Sequence, residues 1–416
     1  MAALTGTRPP IEARLSAAGL PGLPRTAWLE IDLEAVRHNL ATLRRMAGPD
    51  VPILPVVKAD AYGHGAVAIA QALEAAGVDG LCVAALDEAL QLRDAGITSR
   101  IVVLYPIPAA WAREAARLGL AVAAGDPTLL EALADEAARF PTGTELEVEL
   151  EVETGLGRGG FDVEAIAGAA RRILEAPGLR LTGLWTHLQE AEDHELTGRQ
   201  VARFEVATSA LVEAGIPLPN RHVAASAAVI EDGVAAYNGI RPGLAIYGLL
   251  PDELADVAIP VDRREAFHPV MALYARPVRV QDLPTGWGIS YGPTFRTARP
   301  SRIATLPLGY GDGWSRRLSN RAQAIVRGMR VPLVGNVSMD AVMADVTDVP
   351  GAPVTVADEF VLLGRSGDEG ITVADLAHLC NTNSWEVVTG MARRVPRVYH
   401  ASAGPVGLRA LTERST

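Results

Sequence analysis

The chain holds 38 basic side chains among 416 residues, and a count along it finds one lysine, Lys58, against 37 arginines. As surface cations the two residue types are nearly equivalent, so a general bias toward arginine can empty a chain of lysine wherever plain charge is enough. It cannot do so where an amine is required. A guanidinium stays protonated and forms no imine with an aldehyde, whereas a desolvated lysine becomes a neutral nucleophile. A lysine kept by accident could sit at any basic position. Lys58 instead closes the apolar run ILPVV and opens the loop KADAYGHGA, with Tyr62, His64 and two glycines directly after it. An amine in that setting suits attachment of pyridoxal phosphate, while a structural lysine is more often exposed on a helix.

The elements that must position this amine can be read from hydrophobic periodicity. Short Val/Ile/Leu runs lie near 53–57, 80–84, 101–105, 119–123, 146–152, 181–186, 221–225 and 239–248, and stretches of helical period lie near 66–77, 86–94, 110–118, 128–139, 163–175 and 198–214. Gly77, Gly96 and Gly215 are placed to stop three of the helices. Eight strand-helix units predict a closed parallel (β/α)8 barrel, TIM-like, with Lys58 at the C-terminal end of its first strand, where barrels carry their functional groups. A doubly wound sheet competes, but no G-x-G-x-x-G follows the first run. After Pro260 the texture becomes alternating segments between Gly, Pro and Asp turns, which predicts a mostly β domain with helices at 373–380 and 384–391. The expected division is an N-terminal extension over 1–27, a barrel over 28–260 and a β domain over 261–410.

Composition narrows the function classes. Hydrophobic residues make up 49% and charged residues 21% of the chain, which excludes a disordered or collagenous protein. A net charge of −11 leaves no basic field for nucleic acid or anionic lipid. Cys82 and Cys380 stand almost 300 positions apart, so neither a disulfide framework nor a metal site is signalled. No apolar run reaches membrane-spanning length. A cytoplasmic location, a small-molecule substrate, and no metal, nucleic-acid or membrane partner are expected.

The motif VVKADAYGHGA resembles the cofactor-lysine signature of the alanine racemases. Further segments follow in the family's order: ETGLGRGGF from Glu153, THL at Thr186, HVAASAA from His222, YNGIRPGLAIYG from Tyr237, GISYGPTF from Gly288, LPLGYGDGW from Leu306, GNVSMDAVMADVT from Gly335 and RVPRVY from Arg394. The resemblance covers residues 28 to 400 and implies a barrel followed by a β domain. It also implies pyridoxal-phosphate-dependent interconversion of L- and D-alanine by two bases, supplying D-alanine for peptidoglycan, in a homodimer with shared active sites. Lys58 would hold the cofactor and serve the face of the D-substrate, and Tyr291 the face of the L-substrate. Inverting a stereocentre requires a proton donor and acceptor on each side. Arg241 would face the pyridine nitrogen, His187 would bridge toward Arg241 and Tyr291, and Tyr62, Ser226 and the amides of Gly243 and Leu244 would hold the phosphate. Arg158 and the main chain at Met339 would meet the substrate carboxylate, with Tyr310 and Asp340 completing the wall. Racemases of serine or lysine, and a non-catalytic pyridoxal-phosphate binder, are the alternatives.

One departure from the family pattern bears on Arg158. Where many relatives carry a carbamylated lysine seven residues before the arginine of the carboxylate site, this chain has Glu151, already an anion. The segment ELEVELEVE also sends Glu145, Glu147, Glu149, Glu151 and Glu153 to one face of a strand. In a barrel that face points inward, and arginines or water must reach it.

Overall fold

The computed structural model describes residues 8–231, 236–255 and 257–411. Its contacts divide the chain into two compact units, one built from 36–61 and 66–268 and the other from 1–35, 62–65 and 269–416.

The first unit is the expected barrel. Strands Leu81–Val83, Ile101–Val103, Leu120–Ala124, Leu146–Glu151, Leu179–Trp185 and Asn220–His222 form one parallel sheet in chain order. The run 53–57 closes the ring. Val56 bridges Cys82 on one side and Ile53 bridges Ile240 on the other, both parallel. Asn238 and Arg241 donate their N–H groups to the carbonyls of Arg221 and Ala224, so the segment 238–242 is the eighth stave. Pro52 and Pro55 supply carbonyls but no N–H to this seam, which explains why the lysine-bearing run is held by bridges rather than by a continuous ladder. Helices Ala66–Ala75, Leu86–Asp94, Ala112–Arg117, Pro127–Ala137, Ile166–Glu175 and His194–Glu213 occupy the crossovers. Their apolar stripes, such as Leu130, Leu133, Ala134 and Ala137, are buried.

The second unit is a long, mostly antiparallel sheet in the strand order 404–409, 397–401, 27–32, 271–275, 360–366, 323–326, 329–334, 342–345, 301–306, 279–283. A separate hairpin pairs Gly288–Ile289 with Phe295–Arg296. Helices Val373–Cys380 and Ser384–Thr389 lie where periodicity predicts them. Strand Ala27–Asp32, which lies at the edge of the expected 28–260 barrel division but is none of its eight runs, runs between Met271–Ala275 and Arg397–Ala401 in this sheet. Trp28, Leu29 and Ile31 are fully buried there. The strand's alternation, Ala27, Leu29 and Ile31 on one face and Trp28, Glu30 and Asp32 on the other, suits either unit, so sequence does not distinguish the two placements. The extension before it packs on the same unit. Helix Ile11–Ala17 buries Ile11 and Leu15, and Arg8 and Arg14 both pair with the buried Glu30.

Candidate active site

Lys58 begins a short turn, Lys58–Tyr62, whose residues Ala59, Asp60, Ala61 and Tyr62 all have left-handed φ, 51°, 57°, 53° and 51°. Each such non-glycine residue costs of order 1 kcal/mol, so the turn must be imposed by its partners. The Ala59 N–H donates to Glu88 Oε1 at 2.6 Å, the Ala61 N–H to the Val57 carbonyl at 2.9 Å, and Asp60 Oδ1 accepts from the Ala66 N–H at 3.0 Å. The turn re-aims the chain immediately after the strand and leaves Lys58 half-buried. Burial lowers its ammonium below the ordinary lysine range, Arg158 adds to that, and Glu88 and Cys82 oppose it. The amine is thereby made easier to deprotonate.

Arg241 is buried in the same barrel. Its Nη1 donates to His222 Nδ1 and, at 2.7 Å, to the His222 carbonyl, and its Nη2 donates to the Thr186 carbonyl at 2.7 Å. An arginine can only donate, so Nδ1 of His222 must accept and the ring proton must lie on Nε2. Nε2 then donates to Glu149 Oε2 at 2.9 Å, and Glu149 Oε1 accepts from Arg100 Nη2 at 2.7 Å. The inward acidic face predicted for this strand is therefore satisfied by arginines and a histidine. Arg100 and Arg180 also reach Glu147, Arg180 reaches Glu145, and Arg158 lies 3.7 Å from Glu151. Burial alone would raise Glu149, but His222 and Arg100 outweigh it and hold the carboxyl at about 2. Burial, reinforced by Arg241 and Arg100 against Glu149, lowers His222 and keeps it neutral.

Among the described residues, no hydrogen bond joins Arg241 to the ring of His187; the histidine that meets this arginine is His222. In sequence His222 opens the motif HVAASAA, which by itself assigns it no role. The signal that could have found it is its place at the end of the seventh strand, opposite the acidic strand face. His187 is depressed to about 3, first by burial and then by Arg241, Arg158 and Lys58, so its imidazole is neutral.

The hydroxyl of Ser226 accepts the N–H groups of Gly243 at 2.9 Å and Ala245 at 3.3 Å, the residues on either side of Leu244. Arg158 rides on a loop that folds back on its strand: Val152 bridges Phe161, and a Cβ on Gly160 would stand 2.6 Å from the Glu153 nitrogen. Its guanidinium lies over the Tyr105 ring at 5.7 Å. Burial raises Glu151, with Arg158 and Arg241 opposing. An amine of lowered basicity, a buried arginine that cannot lose its proton and a hydroxyl-amide cluster together match the needs of pyridoxal phosphate for an imine-forming group, a ring partner and phosphate donors.

The remaining expected residues belong to the β unit. Tyr291, Tyr310 and Met339 are 78%, 44% and 52% exposed, unusual values for large side chains in a well-packed sheet domain. Their backbones are held firmly nonetheless. The Tyr310 N–H donates to the Ser338 carbonyl at 3.0 Å and the Gly311 N–H to that of Met339 at 2.9 Å, an approach so close that a Cβ on Gly309 would stand 2.2 Å from the Ser338 oxygen. Arg394 pairs with the buried Asp312 and with Asp340, both at 2.7 Å, and clamps the two loops together. Tyr62, at the end of the lysine turn, is buried and counts with this second unit.

Comparison with known proteins agrees with this geometry. The family profile "Alanine racemase, N-terminal domain" matches residues 31–251 and "Alanine racemase, C-terminal domain" matches 270–399. The alanine racemase of Symbiobacterium thermophilum is 42% identical over 377 residues, spanning 90% of this chain and 97% of the relative. That of Sorangium cellulosum is 39% identical over 386 residues, spanning 90% and 99%. Among solved structures, alanine racemase from Bacillus anthracis with bound L-Ala-P superposes with a TM-score of 0.86 at 32% identity, covering 93% of this chain and 98% of that one. Alanine racemase from Streptomyces coelicolor gives 0.82 at 35%, covering 90% and 98%.

Proposed function

The chain belongs to the alanine racemase family, and from that premise we propose that it interconverts L- and D-alanine with pyridoxal phosphate, Lys58 and Tyr291 serving as the two bases of a shared-site homodimer. The observation that carries the cofactor reading is the presence in one barrel of the chain's single ε-amine, the buried Arg241 and the Ser226 hydroxyl with its amides. Lys58 would hold the cofactor through its amine; Tyr62, Ser226 and the amides of Gly243 and Leu244 would take the phosphate, and Arg241 the ring nitrogen. When bound, pyridoxal phosphate acidifies the substrate's α-C–H by withdrawing electrons from that carbon.

The protein's part is to place groups and move protons. Arg158, braced by Glu151, would orient the substrate carboxylate with the main chain at Met339, and Tyr310 and Asp340 would close the wall. Lys58 Nζ would take the α-proton from one face and the Tyr291 hydroxyl would return one on the other, so the stereocentre inverts. Arg241, held by three acceptors and unable to give up its proton, would leave the ring nitrogen unprotonated and the cofactor a moderate electron sink. His187, neutral, would meet Tyr291 as an uncharged hydrogen-bond partner. The exposure of Tyr291, Tyr310 and Met339 supports a site completed between two copies, since residues meant to line a dry pocket stand in solvent on the single chain. The role proposed for the chain is cytoplasmic, feeding D-alanine to peptidoglycan. The direct test is incubation of the protein with each L-amino acid in deuterated water. Inversion with α-deuteration of alanine is expected; failure to invert alanine refutes the proposal.

A further inference from the structure

We infer that Asn336 is a positioning residue for Tyr291, fixing the loop from which the tyrosine reaches substrate. The inference rests on the proposed role of Tyr291 and adds to it the element that aims the side chain. With 78% of its surface exposed, Tyr291 has little packing to orient it. Its loop is also not in a relaxed conformation. It follows the two-residue strand Gly288–Ile289, and Ser290 holds a left-handed φ of 66°.

Side-chain hydrogen bonds from elsewhere in the unit impose that conformation. Asn336 Nδ2 donates to the carbonyls of Tyr291 at 2.8 Å and Gly292 at 3.1 Å. The Ser290 hydroxyl donates to the Asn336 main-chain carbonyl at 2.6 Å. Asn336 Oδ1 accepts from Thr294 Oγ1 at 3.3 Å, and Thr294 Oγ1 in turn accepts from Asn320 Nδ2 at 2.9 Å. Asn320 Oδ1 takes the N–H of Gly335 at 2.6 Å and so ties the same segment from behind. Both amide hydrogens and the amide oxygen of Asn336 are thus engaged. A carboxamide suits the place because one nitrogen satisfies two carbonyls while its oxygen accepts; a carboxylate has no hydrogen to give. The segment then runs on to Ser338 and Met339, whose carbonyls hold Tyr310 and Gly311. The wall is thus fixed by main-chain bonds of Ser338 and Met339, whereas the Asn336 side chain bears on the tyrosine's own loop.

A group that acts by aiming Tyr291 makes a prediction that a general loss of stability does not. In deuterated water, holoenzyme carrying Asn336→Asp or Asn336→Leu should lose α-proton exchange from L-alanine by about 10- to 100-fold, the scale of an ångström-size misplacement. Exchange from D-alanine, served by Lys58, should stay near wild type, as should bound cofactor and the melting temperature. Adding Tyr291→Phe to Asn336→Asp should slow L-exchange no further than Tyr291→Phe alone, because both act through one hydroxyl. Equal losses from both enantiomers, an unchanged L-rate, or independent effects in the double variant would each overturn the inference. If Tyr291→Phe itself shows no L-selective loss, the assignment of Tyr291 falls and takes this inference with it; if it does and the Asn336 variants do not, only the inference falls. Should the Asn336 variants fail to fold, Ser290→Ala decides, since it removes one bond of the same loop. It should give a smaller loss of the same L-selective kind, and a loss shared by both enantiomers would count against the inference.

Discussion

Lys58 is the residue on which the chemistry turns, and the chain's own composition supplies the least disruptive test of it. Lys58→Arg restores the basic residue used everywhere else in the sequence, so the barrel should melt within a few degrees of wild type. Covalent attachment of cofactor and racemisation should both vanish; retained racemisation would remove the amine from the mechanism. Glu151 makes the second prediction at this scale. It needs no carbamylation to be an anion, so activity should be independent of added bicarbonate, and a bicarbonate requirement would mean that Arg158 has another partner. The histidines make the third. His187 is held at about 3 and His222 is lowered by burial, so neither should supply a limb near pH 6.5 in the rate profile. Such a limb that disappears in His187→Gln would contradict the neutral assignment.

The strand Leu146–Glu151 shows how an element carries a polar load into a barrel. Glu149 is fully buried and its folded carboxyl lies below the ordinary value of 4.5, at about 2. Its ionised form therefore contributes its full stabilisation above about pH 4.5, and that contribution is lost as pH falls toward 2. Glu149→Gln should cost on the order of 1–3 kcal/mol at neutral pH, because a neutral amide replaces the charged acceptor of His222 and Arg100 while Arg100 keeps Glu147. The difference in melting temperature between variant and wild type should narrow on acidification; a constant gap would place the stabilisation elsewhere. The alternation of ELEVELEVE made the acidic face legible, but its partners come from positions 100, 180 and 222, on three other strands or their approaches, and no local pattern announces them. The eight apolar runs and the two late helices were legible because they are local and periodic. The placement of Ala27–Asp32 was not, since pairing between residues more than 200 positions apart is a property of the sheet. The turn after Lys58 was likewise hidden, because Ala59 and Ala61 are poor left-handed residues. Ala59→Gly, at an exposed position, should be neutral or raise stability by up to about 1 kcal/mol, where the same change in a helix would lower it.

For the whole molecule, the expected assembly can be tested by mixing. Inactive Lys58→Ala and Tyr291→Phe chains, allowed to exchange subunits, should recover roughly a quarter of sites if two-fold dimers share their sites, since half the dimers are mixed and half of their sites are intact. No recovery despite demonstrated exchange would put both residues in one chain's site. The half-burial of Lys58 has a practical consequence at this same scale. With no other lysine anywhere in the sequence, an amine-directed reagent finds one ε-amine per chain, and one that is deprotonated more readily than an ordinary lysine. Label uptake beyond that of the α-amine therefore counts vacant sites directly. The shortfall on adding cofactor measures occupancy without any turnover, so a preparation of this protein can be titrated like a solution of a single functional group.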